Sequence, residues 1–337
     1  MSPMATDRTS KASREPCPRC GSPNVAVYLY GLPGDIESLE PDLDAGRIRL
    51  GGCTVFDDSP RFHCNSCDFD WGVSQDVARC RDFSEKRDKA DAHYRQGQEY
   101  AQAGHNERAL GEYTQAVELD TFHLKAIFGR GLALHRMGNA KAALLDLDRV
   151  IENASSWAEA YYSRAVVHAA LDHDAEALAD YDVAIQQKPK YIDALYGRAV
   201  VLKKLGQLEA ALDDLNHVLA SDPSYSEARY TRATVHYSLE SWLRAIDDFS
   251  AFMPTHKDHV GAYLLRGLAR HRLGENESAI ADLSTAIQLR PEDGTAYIRR
   301  WQVYKAMGDT AKAEADWTKG RSLMEERAAK PDRDDTV

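Results

Sequence analysis

From residue 90 onward, apolar and small residues recur at the three- and four-residue spacing of helices that face a core, and the pattern repeats every 34 residues without gaps. One position of the repeat carries Gly97, Gly131, Ala165, Ala199, Ala233, Gly267 and Trp301. Twelve residues later alanine stands every time, at Ala109, Ala143, Ala177, Ala211, Ala245, Ala279 and Ala313. A large residue follows at Tyr113, Leu147, Tyr181, Leu215, Phe249, Leu283 and Trp317, and then Ala116, Val150, Ala184, Val218, Phe252, Ala286 and Gly320. Small residues at fixed places let two helix backbones approach, and the large one fills the gap they leave. Gly104, Gly138, Gly206, Gly274 and Gly308 supply a turn between two helices, and Pro189, Pro223 and Pro291 stop the second. The pattern predicts seven helical hairpins, at 90–123, 124–157, 158–191, 192–225, 226–259, 260–293 and 294–327. Before residue 90 the period changes. Short runs at 25–30, 47–50 with 54–56, 61–64 and 69–73, punctuated by Gly, Pro and Asp, read as strands.

All six cysteines fall in this first part, and four form two Cys-x-x-Cys doublets, Cys17 with Cys20 and Cys64 with Cys67. A tight turn across such a doublet points two thiolates at one centre, and two turns together complete a tetrahedral Zn²⁺ site. Iron held by the same four sulfurs is the chemical rival, and the motifs alone do not separate the two metals. A thioredoxin-type thiol pair expects one doublet opening a helix in a βαβ unit, a context that is missing. Cys53 and His63 are alternative ligands; the plainer reading makes Cys53 a small buried side chain, His63 an outward strand residue and Cys80 a free thiol. With Pro18, Gly21 and Trp71 around the doublets, residues 16–76 resemble a zinc ribbon, a small antiparallel sheet clamped by metal-binding turns. Four thiolates close the coordination sphere, so the expected cofactor is structural Zn²⁺ supporting a segment too small to hold a core alone.

A charged register runs through the repeats. Gln96, then Arg130, Arg164, Arg198, Arg232, Arg266 and Arg300, precede the small position. Glu112, then Asp146, Asp180, Asp214, Asp248, Asp282 and Asp316, stand sixteen residues after them. The only unit without Arg is also the only one without Asp, which predicts Arg–carboxylate pairs that fix helix register within or between units.

The period and the small, large, alanine and proline positions resemble the tetratricopeptide repeat. The resemblance implies a mainly α, right-handed α-solenoid of seven hairpins preceded by the small antiparallel β zinc ribbon, with the first helix of each hairpin on the concave face. It implies a groove lined by Tyr94, Phe128, Tyr162, Tyr196 and Tyr230, continuing to Leu264 and Ile298, with His135, Arg136, Lys203, Lys204, His271, Arg272 and Lys305 at its edges. The alternative is that the tyrosines are partly buried packing residues. The Lys and Asn of repeats that clamp chaperone tails are not matched here, where Tyr94, Gln98, Phe128 and Leu132 stand.

Composition narrows the function. Against 42 Lys and Arg stand 53 Asp and Glu, a formal net charge of −11, the wrong sign for general binding to nucleic-acid backbones. No run approaches the roughly 18 to 20 apolar residues that cross a bilayer, and the first residues lack a secretory core, so the cytoplasm is the expected location. No P-loop, dinucleotide turn or nucleophile with a spaced base is present, and His256-x-x-His259 reads as an inter-repeat loop. The expected organisation is a disordered start at 1–15, the ribbon at 16–76, a linker and helix start at 77–89, the repeats at 90–327 and a disordered tail at 328–337. The expected function is a non-catalytic scaffold holding an extended protein or peptide with acidic groups. The rival is a ribbon-based nucleic-acid, ribosome or transcription factor that recruits through its repeats, with Arg14, Arg19, Arg47, Arg49 and Arg61 as its patch.

Overall fold

The computed structural model describes the backbone of residues 25–29, 48–50, 60–64, 69–73 and 75–328, and the side chains of residues 85–328. Of the expected disordered ends at 1–15 and 328–337, Ala328 closes the last helix and the rest lie outside the described residues. Two compact units divide the chain, residues 1–130 and 131–337.

In the first unit four strands, β1 (Val25–Leu29), β2 (Ile48–Leu50), β3 (Pro60–Cys64) and β4 (Phe69–Val73), pair in the order β2-β1-β3-β4. β3 is antiparallel to both β1 and β4, with Cys64 opposite Val25 and Phe69. β2 runs parallel to β1, with Val27 opposite Ile48, so the sheet departs from a purely antiparallel ribbon at this edge. A parallel neighbour needs a connection of a dozen or more residues, and residues 30–47 separate the two strands.

Helix α1 (Gln75–Gln102) takes in all of the expected linker and helix start at 77–89. Residues 77–89 contain neither Gly nor Pro to interrupt a helix, and Glu85 and Lys89 are correctly spaced for an i,i+4 pair. α1 packs against α2 (Asn106–Leu119), and α3 (Leu124–Arg136) follows. The Tyr113 ring lies where a Cβ on either Gly97 or Gly129 would fall, 2.6 and 2.7 Å from its nearest atoms.

The second unit contains α4 (Ala140–Asn153), α5 (Ala158–Ala170), α6 (Asp174–Gln187), α7 (Ile192–Lys204), α8 (Leu208–Ser221), α9 (Ser226–Ser238), α10 (Trp242–Phe252), α11 (Val260–Arg272), α12 (Asn276–Leu289), α13 (Gly294–Met307) and α14 (Thr310–Ala328). Pairs α5/α6, α7/α8, α9/α10, α11/α12 and α13/α14 form hairpins, and each second helix also packs on the next first helix. The first helices α5, α7, α9, α11 and α13 touch one another in sequence, so they share one face of the stack.

The repeat alanines are buried at the helix crossings, and Leu147, Leu215, Phe249 and Leu283 are completely buried beside them. Such burial stabilises each hairpin by about 2 kcal/mol per large side chain relative to exposure. Every turn between the two helices of a hairpin uses the left-handed backbone region at the same place in the period. Gly104, Gly138, Gly206, Gly274 and Gly308 occupy it at φ of 76° to 82°, and Asp172 and Glu240 occupy it at 58° and 56°. Among the described residues no helix is long and apolar enough to cross a membrane.

Candidate functional site: the face of the first helices

The charged register is a set of three-point clamps. Arg164 donates from Nε and Nη2 to Asp180 at 2.7 Å each, and from Nη1 to Asp148 at 2.6 Å. Arg198 holds Asp214 at 2.8 and 2.7 Å and Asp182 at 2.6 Å, and Arg232 holds Asp248 at 2.8 Å twice and Asn216 at 2.9 Å. Arg266 joins Asp282 and Ser250, and Arg300 joins Asp316 and Ser284, in the same manner. Each arginine thus binds the second helix of its own hairpin and that of the preceding one. The sequence register identifies the buried Asp; the third partner, two residues beyond the Asp of the preceding unit, varies among Asp, Asn and Ser and escapes a search for charge alone. Hydrogen bonding to Asp180 and Asp214 raises the Arg164 and Arg198 pKa values above the ordinary range, against the opposing effect of burial. In the first hairpin, where Arg is replaced by Gln96, His93 Nδ1 meets Glu112 at 2.7 Å instead. These guanidinium groups are occupied by the fold and do not form a charge track for a ligand.

The aromatic positions divide between packing and surface. Tyr94 in α1 lies tilted against His123 and Tyr113, with ring centres 5.1 and 6.1 Å away, and Phe128 in α3 is half-buried. Tyr162 in α5 lies 4.9 Å from Tyr191, and Tyr196 in α7 lies 5.2 Å from Tyr225. Tyr230 in α9 sits among Phe249, Phe252 and His259. Each ring is therefore half-buried against the entrance to the following hairpin, and desolvation raises the pKa of Tyr94, Tyr162 and Tyr230. Leu264 and Ile298 continue the row, also half-buried.

The basic edge residues differ in availability. Lys204 is tied to Asp172 and Asp174 at 2.6 and 2.8 Å, which raises its pKa through those hydrogen bonds. Lys305 stands 5.1 Å over Trp301, and His271 Nδ1 meets Asn276 at 2.7 Å. Lys203 is half-buried and Arg136 is exposed; beside it, desolvation and then the Arg136 charge lower the His135 pKa. Between α9, α11 and α13, a cavity of about 300 Å³ is lined by Tyr237, Leu268, His271, Arg272, Arg299 and Gln302. Only His271 and Arg272 of these stand out from the sequence. Tyr237 occupies the place of Lys203 and His271 one or more periods away, a signal available in the register; Arg299 and Gln302 join them only once the helices are packed.

Of the expected metal ligands, Cys17, Cys20 and Cys67 lie outside the described residues, and Cys64 closes β3. Among the described residues no group of three or more His, Cys, Asp or Glu is arranged to hold a metal.

A family description, Tetratricopeptide repeat, matches residues 94–156, 136–192, 196–255 and 260–293, together more than half of the chain. Among solved structures, a tetratricopeptide repeat protein from Parabacteroides merdae ATCC 43184 superposes with a TM-score of 0.52 at 18% identity, covering 70% of this chain and 93% of its own. YrrB, described as a TPR protein with an unusual peptide-binding site, superposes with a TM-score of 0.50 at 24% identity, covering 55% of this chain and 95% of its own. There is no significant match among curated proteins.

Proposed function

Since the chain belongs to the tetratricopeptide repeat proteins, we propose that it is a non-catalytic scaffold that holds an extended protein or peptide segment along the face shared by its first helices. The observation that carries this reading is the division of labour among side chains on that face. The clamp arginines and the tyrosines are engaged in packing, whereas exposed Val200, half-buried Lys203 and the lining of the cavity between α9, α11 and α13 remain for a partner. YrrB supplies a precedent for peptide binding on this architecture. Basic groups at Lys203, Arg272, Arg299 and Lys305, inside a chain of net charge −11, favour a segment carrying acidic groups.

The amino-terminal sheet is proposed to be clamped by structural Zn²⁺ on Cys17, Cys20, Cys64 and Cys67. Support comes from the doublet spacing and from the backbone register. Residues 65–68 connect the antiparallel pair β3/β4, and Cys64 is opposite Val25, the first residue of β1 and five positions after Cys20.

The scaffold reading is tested by photo-crosslinking in native extract from the source organism, with a benzophenone amino acid at Val200 on α7 or at Leu145 on α4. Leu145 is 71% exposed on a second helix and serves as the comparison. A discrete protein adduct from position 200 and none from position 145 is expected. Equal labelling from both positions, or none from either, overturns the reading.

A further inference from the structure

The cavity between α9, α11 and α13 brings together two guanidinium groups that the fold does not neutralise. In the same hairpins Arg232, Arg266, Arg270 and Arg300 each hold a buried aspartate, at 2.6 to 2.9 Å. Arg272 and Arg299 differ. Arg272 lies 5.9 Å from the Trp242 ring centre, and Arg299 Nη1 reaches only the amide oxygen of Gln302, at 3.4 Å. Among the described residues neither meets a carboxylate, and none of the six lining residues is acidic. Trp242 stands edge-on to Tyr237, with ring centres 5.1 Å apart, and so ties the Arg272 side of the cavity to α10. His271 is oriented by Asn276 through Nδ1. An amino-acid side chain fits a volume of about 300 Å³, and guanidinium donors match a carboxylate two bonds at a time.

We propose that this cavity is an anion site that takes a carboxylate of the bound peptide, with Arg272 and Arg299 as the charged donors and Tyr237 and Gln302 as neutral hydrogen-bonding neighbours. The proposal rests on the scaffold reading and adds to it a fixed anchor: one acidic group, read by the last three hairpins, sets the register of the segment lying across the others. Neutral partners leave two guanidinium groups without a counter-charge and bind less well. The carboxylate comes either from an Asp or Glu side chain or from a chain terminus.

Display of random peptides against the intact protein, followed by synthesis of recovered sequences, tests this. Each peptide is made with a free or an amidated carboxyl terminus, and with its acidic residues kept or changed to the amides. Enrichment of an acid at one position is expected, and whichever change removes the essential carboxylate identifies its source. Arg272→Gln with Arg299→Gln is expected to weaken binding about tenfold or more while the thermal transition stays in place. Arg272→Lys, which keeps the charge and loses the fork, is expected to recover part of that loss. Peptides recovered without acidic preference, or bound equally by the double variant, overturn the anion site and leave the scaffold reading intact. Recovery of no peptide overturns both.

Discussion

A guanidinium that donates to two carboxylates, as Arg198 does to Asp214 and Asp182, commits all three of its nitrogens and three of its five N–H donors to the fold. The energetic consequence is asymmetric. Asp214→Ala removes a carboxylate whose side chain is only 6% exposed and leaves the arginine with Asp182 alone, and is expected to cost about 3 kcal/mol in urea unfolding. Replacing both partners, Arg198→Met with Asp214→Leu, is expected to recover most of that loss. Glu240 illustrates a smaller strain: it holds φ of 56° where five other turns use glycine. Glu240→Gly is expected to stabilise the chain by about 0.5 kcal/mol net of glycine's greater unfolded entropy, read as a higher urea midpoint. Asp172 is a less clean test because it also binds Lys204. His236 is buried with Nδ1 lacking a partner, and desolvation lowers its pKa, with Arg232 and Arg244 assisting and Asp248 opposing. The unfolded chain therefore binds the proton more tightly. This contribution to stability is complete above about pH 6.5 and is lost as pH falls through the folded-state value. His236→Leu copies the buried Leu202 of the preceding hairpin, and its melting temperature is expected to fall less between pH 7 and 5 than that of the parent.

At the scale of helices, the large repeat residue dictates what its neighbour carries. Tyr113 and Tyr181 are each followed sixteen residues later by glycine, Gly129 and Gly197, because a Cβ there would fall 2.7 and 2.6 Å from the tyrosine ring. Where the large residue is Leu147 or Leu215, the same place holds Ser163 or Thr231. Gly197→Ser alone is expected to cost about 2 kcal/mol by overpacking, and Tyr181→Leu combined with it to restore much of the loss in a double-mutant cycle. The hairpin boundaries and the Arg–Asp register were legible because both follow the 34-residue period. The four described strands fall within about a residue of runs read from alternation between turn formers, and the run at 54–56 lies outside the described residues. One feature was not legible. The parallel β1/β2 edge depends on strand order, which local pattern does not encode. The helix start at 77–89 was legible from its charge and its lack of breakers, and the helix opens two residues earlier, at Gln75.

At the scale of the whole molecule, the sequence picked out residues of the shared first-helix face but overstated what is free on it. Tyr162, Tyr196 and Lys204 belong to first helices, yet they are held by Tyr191, Tyr225 and the Asp172/Asp174 pair. Half-buried aromatic positions have the same sequence signature whether they bind or pack; only their neighbours decide. For the same reason, alanine at Tyr162 or Tyr196 disturbs the stack as well as the surface, and a clean test needs exposed positions. The metal proposal makes its own prediction: purified protein is expected to carry a single zinc by emission spectroscopy, and Cys64→Ser with Cys67→Ser to lose it. The most direct test of the scaffold account is the affinity of a display-selected peptide for two charge-altered variants. Val200→Glu with Lys203→Glu alters the first-helix face, and Leu145→Glu with Leu243→Glu alters exposed positions on the second helices. Loss of binding in the first and parental affinity in the second are expected. Parental affinity in the first variant, with loss in the second, would place the partner on the opposite helices and contradict the scaffold account.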